Sequence, residues 1–429
     1  MHIKIYYGLC LSGFLIIASF LPCSSLICQA VIISFTNGRY DAGLISAAGG
    51  KVTGQFEHVG MLKALVPQSS LDYIRQIPGV DFIEGSGQTK DAKTEDVVQT
   101  DVEYSGSWAL ADIGAEPIHS LNYTGKGVKI AILDTGVDYH HPDLAPNYKG
   151  GHDFINNDDD PMDDNGHGTH VAGIIAAARN GKGIVGVAPN AELYAVKVSD
   201  SKGKGSFSTL VEGINWAIDN HMNIITMSIT GEGGSPALAK AVNVAYHDFG
   251  IILVAAVGNG NGEITFYPAA YDEVIGVGSI DKDNNLSSFS LTGSDVEFVA
   301  PGTEIKSTWP EGKYAVLSGT SMATPFVTGA IALLLGSNEK AWNSSGAVNG
   351  DGKWTNDEIR QVLRYTAKDL GPKGHDDLFG YGLINLKLPS KREPHIKPTA
   401  YNNEEEQLAG TILSESVWTG LKFSFYVRG

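Results

Sequence analysis

Three runs, NIITMSI (223–229), IILVAAVG (251–258) and VIGVGSI (274–280), are apolar with almost no alternation, as expected for strands buried on both faces. VKIAILD (128–134) and AELYAVKVS (191–199) read as further strands. Between them lie HGTHVAGIIAAA (167–178) and TLVEGINWAIDN (209–220), the second with apolar residues three and four apart, so both read as helices. Strands alternating with helices predict a parallel, twisted α/β sheet covered by helices on both sides, over about 106–388. NDEIRQVLRYTA (356–367) adds an amphipathic helix.

Upstream the pattern differs. Residues 31–87 read strand, helix, two strands, helix, strand, with the second helix capped at Ser69-Ser70 and stopped at Pro78. That order is a small ferredoxin-like α+β unit. Residues 88–105 are polar and without period, a linker. Residues 389–429 form a polar tail without a clear role. Residues 1–30 start polar, turn apolar and end in a Pro-Cys-Ser break before Ala30, which matches a secretory signal peptide better than a membrane span. Cys10, Cys23 and Cys28 all fall in that segment. A mature chain without cysteine has no thiol nucleophile, disulfide or thiolate-bound zinc. The formal charge of −17 argues against nucleic acid as a partner and is compatible with calcium.

The chemistry starts at LSGTSMATPFVTGAIALLL (317–335), apolar all round like a buried helix. Pro325 is expected in its first turn. Ser321 is then either an N-cap or a nucleophile at the positive end of the helix dipole. Two segments offer partners. Asp134 ends a predicted parallel strand, where catalytic groups collect. His167 and His170 enter a helix of small residues, without the spacing or glutamate of a zinc helix. A serine hydroxyl needs a base, and a base histidine needs an orienting carboxylate.

ILDTGVD, NGHGTHVAG and GTSMATP together resemble the three active-site signatures of the subtilisin-like serine proteases, over about 106–386. The Asp-His-Ser order is that of subtilisin. The resemblance implies Asp134 as orienting acid, His167 as base, Ser321 as nucleophile and Asn259 of AAVGNG as oxyanion donor. His170 is expected to be structural. It implies that Ser228, Ile229 and Thr230 line the cleft by pairing with substrate, with Thr230 in place of the usual glycine. It puts Phe207 in an outer apolar pocket, where plain core is the competing assignment. Phe266 falls where relatives have a small residue in the primary pocket. Residues 31–87 resemble the inhibitor-like propeptide, with processing in 88–105.

The resemblance also implies structural calcium. Asp143, the Asn180 side chain and the carbonyls of Ala178, Lys182 and Ile184 match one site, whose N-terminal glutamine ligand has no clear equivalent. Asp295 and Glu297, with the carbonyls of Ala269, Tyr271 and Val274, match a weaker one. NNDDDPMDDNG (156–166) is either a third cation site or a solvated acidic loop. The expected protein is a secreted, monomeric, autoprocessed endopeptidase acting on protein substrates. The alternatives are an inactive binding relic, an acid-acting serine-carboxyl relative, where His167 stands in place of the needed glutamate, and a nucleotide-binding α/β protein, which lacks a glycine-rich phosphate loop after the first strand.

Overall fold

The computed structural model describes residues 28–36, 42–85, 88–90, 103–104, 107–260, 266–337, 342, 349 and 351–386. The expected signal peptide up to residue 27, most of the linker and the 389–429 tail lie outside the described residues.

The N-terminal unit runs β1 (Cys28–Phe35), α1 (Ala42–Ala47), β2 (Lys51–Phe56), β3 (Met61–Pro67), α2 (Leu71–Arg75) and β4 (Val80–Gly85). Its sheet is antiparallel, ordered β2-β3-β1-β4. β1 begins at Cys28, so the expected boundary at residue 30 falls inside a strand. Cys28 is disulfide-bonded, so the described chain keeps one cysteine that the sequence placed in the signal segment. Ser70 precedes α2 as expected, but its hydroxyl makes no cap and donates to the Ala48 carbonyl at 2.8 Å.

Alternation along β1 divides its side chains between two environments. Val31, Ile33 and Phe35 join Ile45, Leu62, Val66 and Ile74 in the unit's own core. Ile32, with Phe56, Val59 and Met61, joins the large core of the following domain.

That domain begins after β5 (Gln88–Lys90) with α3 (Trp108–Asp112) and α4 (Ala115–Ser120). It continues with β6 (Lys129–Asp134), β7 (Tyr148–Asp153), α5 (His167–Ala176), β8 (Glu192–Lys197), β9 (Lys204–Ser206) and α6 (Phe207–Asp219). Then come β10 (Ile224–Met227), β11 (Gly231–Glu232), α7 (Pro236–Asn243), β12 (Ile252–Ala256), β13 (Phe266–Tyr267), β14 (Val274–Ile280) and β15 (Phe298–Pro301). The hairpin β16 (Ile305–Trp309) and β17 (Lys313–Leu317) leads into α8 (Thr320–Leu335), and α9 (Asn356–Thr366) follows. The seven-stranded sheet is parallel, ordered β15-β14-β12-β10-β6-β8-β7. The α/β architecture is therefore the expected one. β6, first in sequence, lies between β10 and β8, so the strand order reverses there, and Asp134 ends it. Open α/β sheets build their sites at such reversals.

The N-terminal unit sits on α6 and α7. Lys63 Nζ lies 2.6 Å from Glu212, His58 Nε2 2.6 Å from Asp219, and Lys240 Nζ donates to Ser34 Oγ at 2.8 Å. Glu84 accepts the Ala237 N–H at 2.9 Å, supplying a carboxylate to the positive N-terminal end of α7. Residues 88–90, expected as linker, form a strand antiparallel to β9 that also lies against β11.

Candidate active site

α5 starts at His167, so the imidazole is presented from the first turn of a fully buried helix. Its Nδ1 lies 2.8 Å from Asp134 Oδ1, and both residues are buried. Gly168 makes this approach possible: a Cβ there would meet the Gly136 carbonyl at 2.1 Å and Asp134 Oδ1 at 3.1 Å. A second layer fixes the pair. Thr135 N–H donates to Asp134 Oδ1 at 2.8 Å, and Thr135 Oγ1 accepts from Gly168 N–H at 3.0 Å while donating to Asp163 at 2.9 Å. Buried Asp163 also takes the N–H groups of Asn165, Gly166 and Thr169. Buried Lys197 donates to the Thr135 carbonyl at 2.6 Å and pairs with Asp164.

Ser321 is the second residue of α8 and is buried. Its hydroxyl donates to the Ser228 carbonyl at 3.1 Å, while the Ser228 hydroxyl donates back to the Ser321 carbonyl at 2.9 Å. Pro325 explains the second bond. The helix begins at Thr320, so Pro325 lies in its second turn rather than its first. A residue there would normally donate its N–H to the carbonyl four residues back, which is that of Ser321. Proline has no such donor. The Ser321 carbonyl is thus left for Ser228, and the helix is tied to the segment that carries Ser228, Ile229 and Thr230.

Asn259 is oriented by Thr320, a residue the motif reading missed. Its Oδ1 accepts from both Thr320 N–H, at 3.0 Å, and Thr320 Oγ1, at 3.1 Å. With the oxygen so engaged, the amide NH₂ must face away from Thr320. The signal was the GT of GTSMATP, directly beside the serine.

His170 is structural, as expected. It is buried, and its Nε2 lies 3.1 Å from the Ile305 carbonyl and 3.2 Å from that of Ala315, joining α5 to both strands of the hairpin. Burial, with a smaller contribution from His167, holds its pKa down at about 3. In the unfolded chain the group titrates near 6.5. The folded state therefore binds fewer protons than the unfolded one between these values, and stability falls as pH drops through 6.5 toward 3. The expected cost is a few kcal/mol by pH 4.5. Urea unfolding at pH 7.5 and 4.5 in a Ser321→Ala background checks this, since His170→Gln should remove that part of the acid loss.

Phe207 takes the competing core position. It starts α6 and is buried in the main core, next to β9.

At the first expected cation site the donors converge. Asp143 Oδ1 accepts from Asn180 Nδ2 at 3.0 Å, and Oδ2 accepts from Tyr314 Oη at 2.7 Å and Ile184 N–H at 3.2 Å. The 178–184 turn wraps this carboxylate closely. Gly183 has φ +55°, and a Cβ there would stand 2.3 Å from Asp143 Oδ2. A second carboxylate also reaches this turn. Glu103 Oε1 lies 2.6 Å from the N–H groups of both Asn180 and Gly181. Two carboxylates and the Asn180 amide, whose oxygen accepts from the Lys182 N–H at 3.0 Å, are hard-oxygen groups of the kind calcium takes.

The second expected site needs correction. Ala269, Tyr271, Val274, Asp295 and Glu297 do line one cleft of about 380 Å³. Glu297, however, is bound by two guanidinium groups, with Arg360 at 2.5 Å and Arg364 at 2.8 Å. Arg360 also donates to the Asp272 carbonyl at 2.8 Å. Positive charge is supplied here by the chain, so Glu297 does not fit a cation ligand. The acidic loop is likewise engaged internally. Asp159 pairs with His152, Asp160 accepts from Tyr139 and Asp164 pairs with Lys197. Among the described residues no cluster of three histidine or acidic side chains is placed to hold a metal, and no helix is long and apolar enough to cross a membrane.

Comparison with known proteins agrees with this geometry. Residues 125–382 match the model of the Subtilase family. Subtilisin E of Bacillus subtilis is 40% identical over 353 residues, 81% of this chain and 85% of that protein. An alkaline protease of Alkalihalobacillus alcalophilus is 40% identical over 337 residues, 79% and 81% of the two chains. Minor extracellular protease Epr of Bacillus subtilis is 38% identical over 364 residues, 83% of this chain and 54% of its own. The chain belongs to the subtilase family and is a serine endopeptidase that acts on protein substrates.

Proposed function

We propose that Asp134, His167 and Ser321 form the catalytic triad of this endopeptidase and that Asn259 is its oxyanion donor. The buried 2.8 Å contact of Asp134 with His167 carries the proposal, because a carboxylate on Nδ1 leaves Nε2 to exchange a proton. On binding substrate, the Ser321 hydroxyl turns from the Ser228 carbonyl and gives its proton to His167 as its oxygen bonds to the peptide carbon. The Asn259 amide and the Ser321 N–H hold the oxyanion. His167 then protonates the leaving amine, and water repeats the sequence on the acyl-enzyme.

The chain is read as a secreted zymogen. The first N-terminal unit acts as an inhibitor-like propeptide, and the pairing of residues 88–90 with β9 supports this, since it adds a strand at the cleft. Exposing wild type and Ser321→Ala to a fluorophosphonate and weighing both tests the whole reading. Wild type should shed about the first hundred residues and gain one adduct. If it stays whole and unlabelled, the triad assignment fails.

Calcium, when bound, supplies structural cross-linking between the 178–184 turn, Asp143 and Glu103. From a calcium level 100 times Kd, removal by EGTA should cost ~2.7 kcal/mol, seen as a fall in Tm. Glu103→Ala should shrink that fall by weakening calcium binding. An unchanged Tm difference in this variant would exclude Glu103 as a ligand.

A further inference from the structure

We propose that Lys197 is a positioning residue for the acid–base pair, its buried ammonium strapping the strand end that carries Asp134 to the turn that delivers His167. The inference rests on the triad reading.

Lys197 is the last residue of β8, level with Asp134 on β6 and with Asp153 on β7. Its side chain is only 1% exposed. Its neighbours along the strand, Leu193, Ala195 and Val196, are apolar and fully buried. An apolar side chain would continue that pattern, whereas an ammonium brings a desolvation cost that only well-placed partners offset. The two partners belong to the segments that carry Asp134 and His167. One is the carbonyl of Thr135, at 2.6 Å, directly after Asp134. The other is the carboxylate of Asp164, three positions before His167. Thr135 in turn holds Asp134 through its N–H and the start of α5 through its hydroxyl. One cation thus closes a ring of contacts through the strand end, the helix start and the turn between them. A shift of the Thr135 peptide would move the carboxylate against the imidazole, and a misplacement of about 1 Å is enough for a large loss of rate.

Stability alone does not account for the charge. Buried ion pairs add little net stability over apolar packing. Asp164 is 51% exposed, so water can solvate its carboxylate when the lysine is replaced. Each charge also acts on His167 with its own sign: the ammonium disfavours the imidazolium, and the Asp164 carboxylate favours it. The other titratable groups about His167 are Asp134 on its Nδ1, Asp163 under the preceding turn, Asp138 on the loop after β6 and His170 one turn along α5. On the hairpin packed against α5, Lys313 pairs with Glu311 and Lys306 lies over the Tyr314 ring. α8 carries no titratable side chain. None of these groups is altered by replacing Lys197 or Asp164.

The test is kcat, KM and the pH profile of kcat/KM on one peptide substrate for wild type, Lys197→Met and Asp164→Asn, with active sites counted by fluorophosphonate so that misfolded protein does not enter. Lys197→Met should lower kcat by about tenfold or more with KM little changed. Asp164→Asn keeps the bond to Thr135 and should lower kcat less. The acid limb of kcat/KM reports the base in the free enzyme. It should move up in Lys197→Met, which loses a positive charge, and down in Asp164→Asn, which loses a negative one. Each shift should be roughly half a pH unit at low salt and smaller at high salt. A Lys197→Met enzyme with wild-type kcat per active site and an unmoved limb overturns the proposal, whatever its stability. If that variant does not fold, a limb left in place by Asp164→Asn overturns it equally. Wild type without peptidase activity would instead sink the triad reading, and this proposal with it.

Discussion

Ser321→Ala protein is expected to remain full length after folding and to hydrolyse peptides about a million-fold more slowly than wild type, the loss known for subtilisin, a relative of this chain. The size follows from what is removed. Asn259 and the Ser321 N–H would still bind the oxyanion, but no oxygen remains to form the acyl-enzyme. The change should cost little stability, because the hydroxyl makes one bond, to the Ser228 carbonyl. An unchanged urea midpoint beside the lost turnover would separate chemistry from folding. Self-cleavage at the wild-type rate would mean that another group is the nucleophile.

Asp134→Asn should reduce turnover by about 10⁴, again a magnitude known for this class of triad. The amide is nearly the same shape, so the fold should hold. It can, however, donate to His167 Nδ1, which favours the tautomer with its proton on Nε2. That tautomer cannot take the proton from Ser321. The loss should appear in kcat, with KM little changed, since Asp134 is buried behind the imidazole and does not line the cleft. A rise in KM at constant kcat would refute the orienting role.

The residues proposed as catalytic each lie in a local signature, and the helices and buried strands were legible because their periods are strong. What escaped did so for identifiable reasons. β7, YKGGHD, carries two glycines and polar residues on the sheet's edge, so it has no apolar run to read. The β16–β17 hairpin is similarly mixed. Glu103 lies in a polar stretch and gains meaning only from the turn at 180–181 that it meets in space. The fate of Glu297 depends on Arg360 and Arg364, which arrive on α9 more than sixty residues later. Thr320 was visible, but its hold on Asn259 is a contact across 61 positions. Local pattern gives the groups, and distance in sequence hides their partners.

The absent amide of Pro325 has a mechanical meaning. Because Ser228 and Ser321 exchange two hydrogen bonds, the segment proposed to bind substrate and the start of the helix that bears Ser321 are held together. A peptide adding to that segment in a skewed register would therefore pull on the helix start as well. When the Ser321 hydroxyl turns to its base, the bond from Ser228 Oγ to the Ser321 carbonyl would be the tie that keeps the two segments in step.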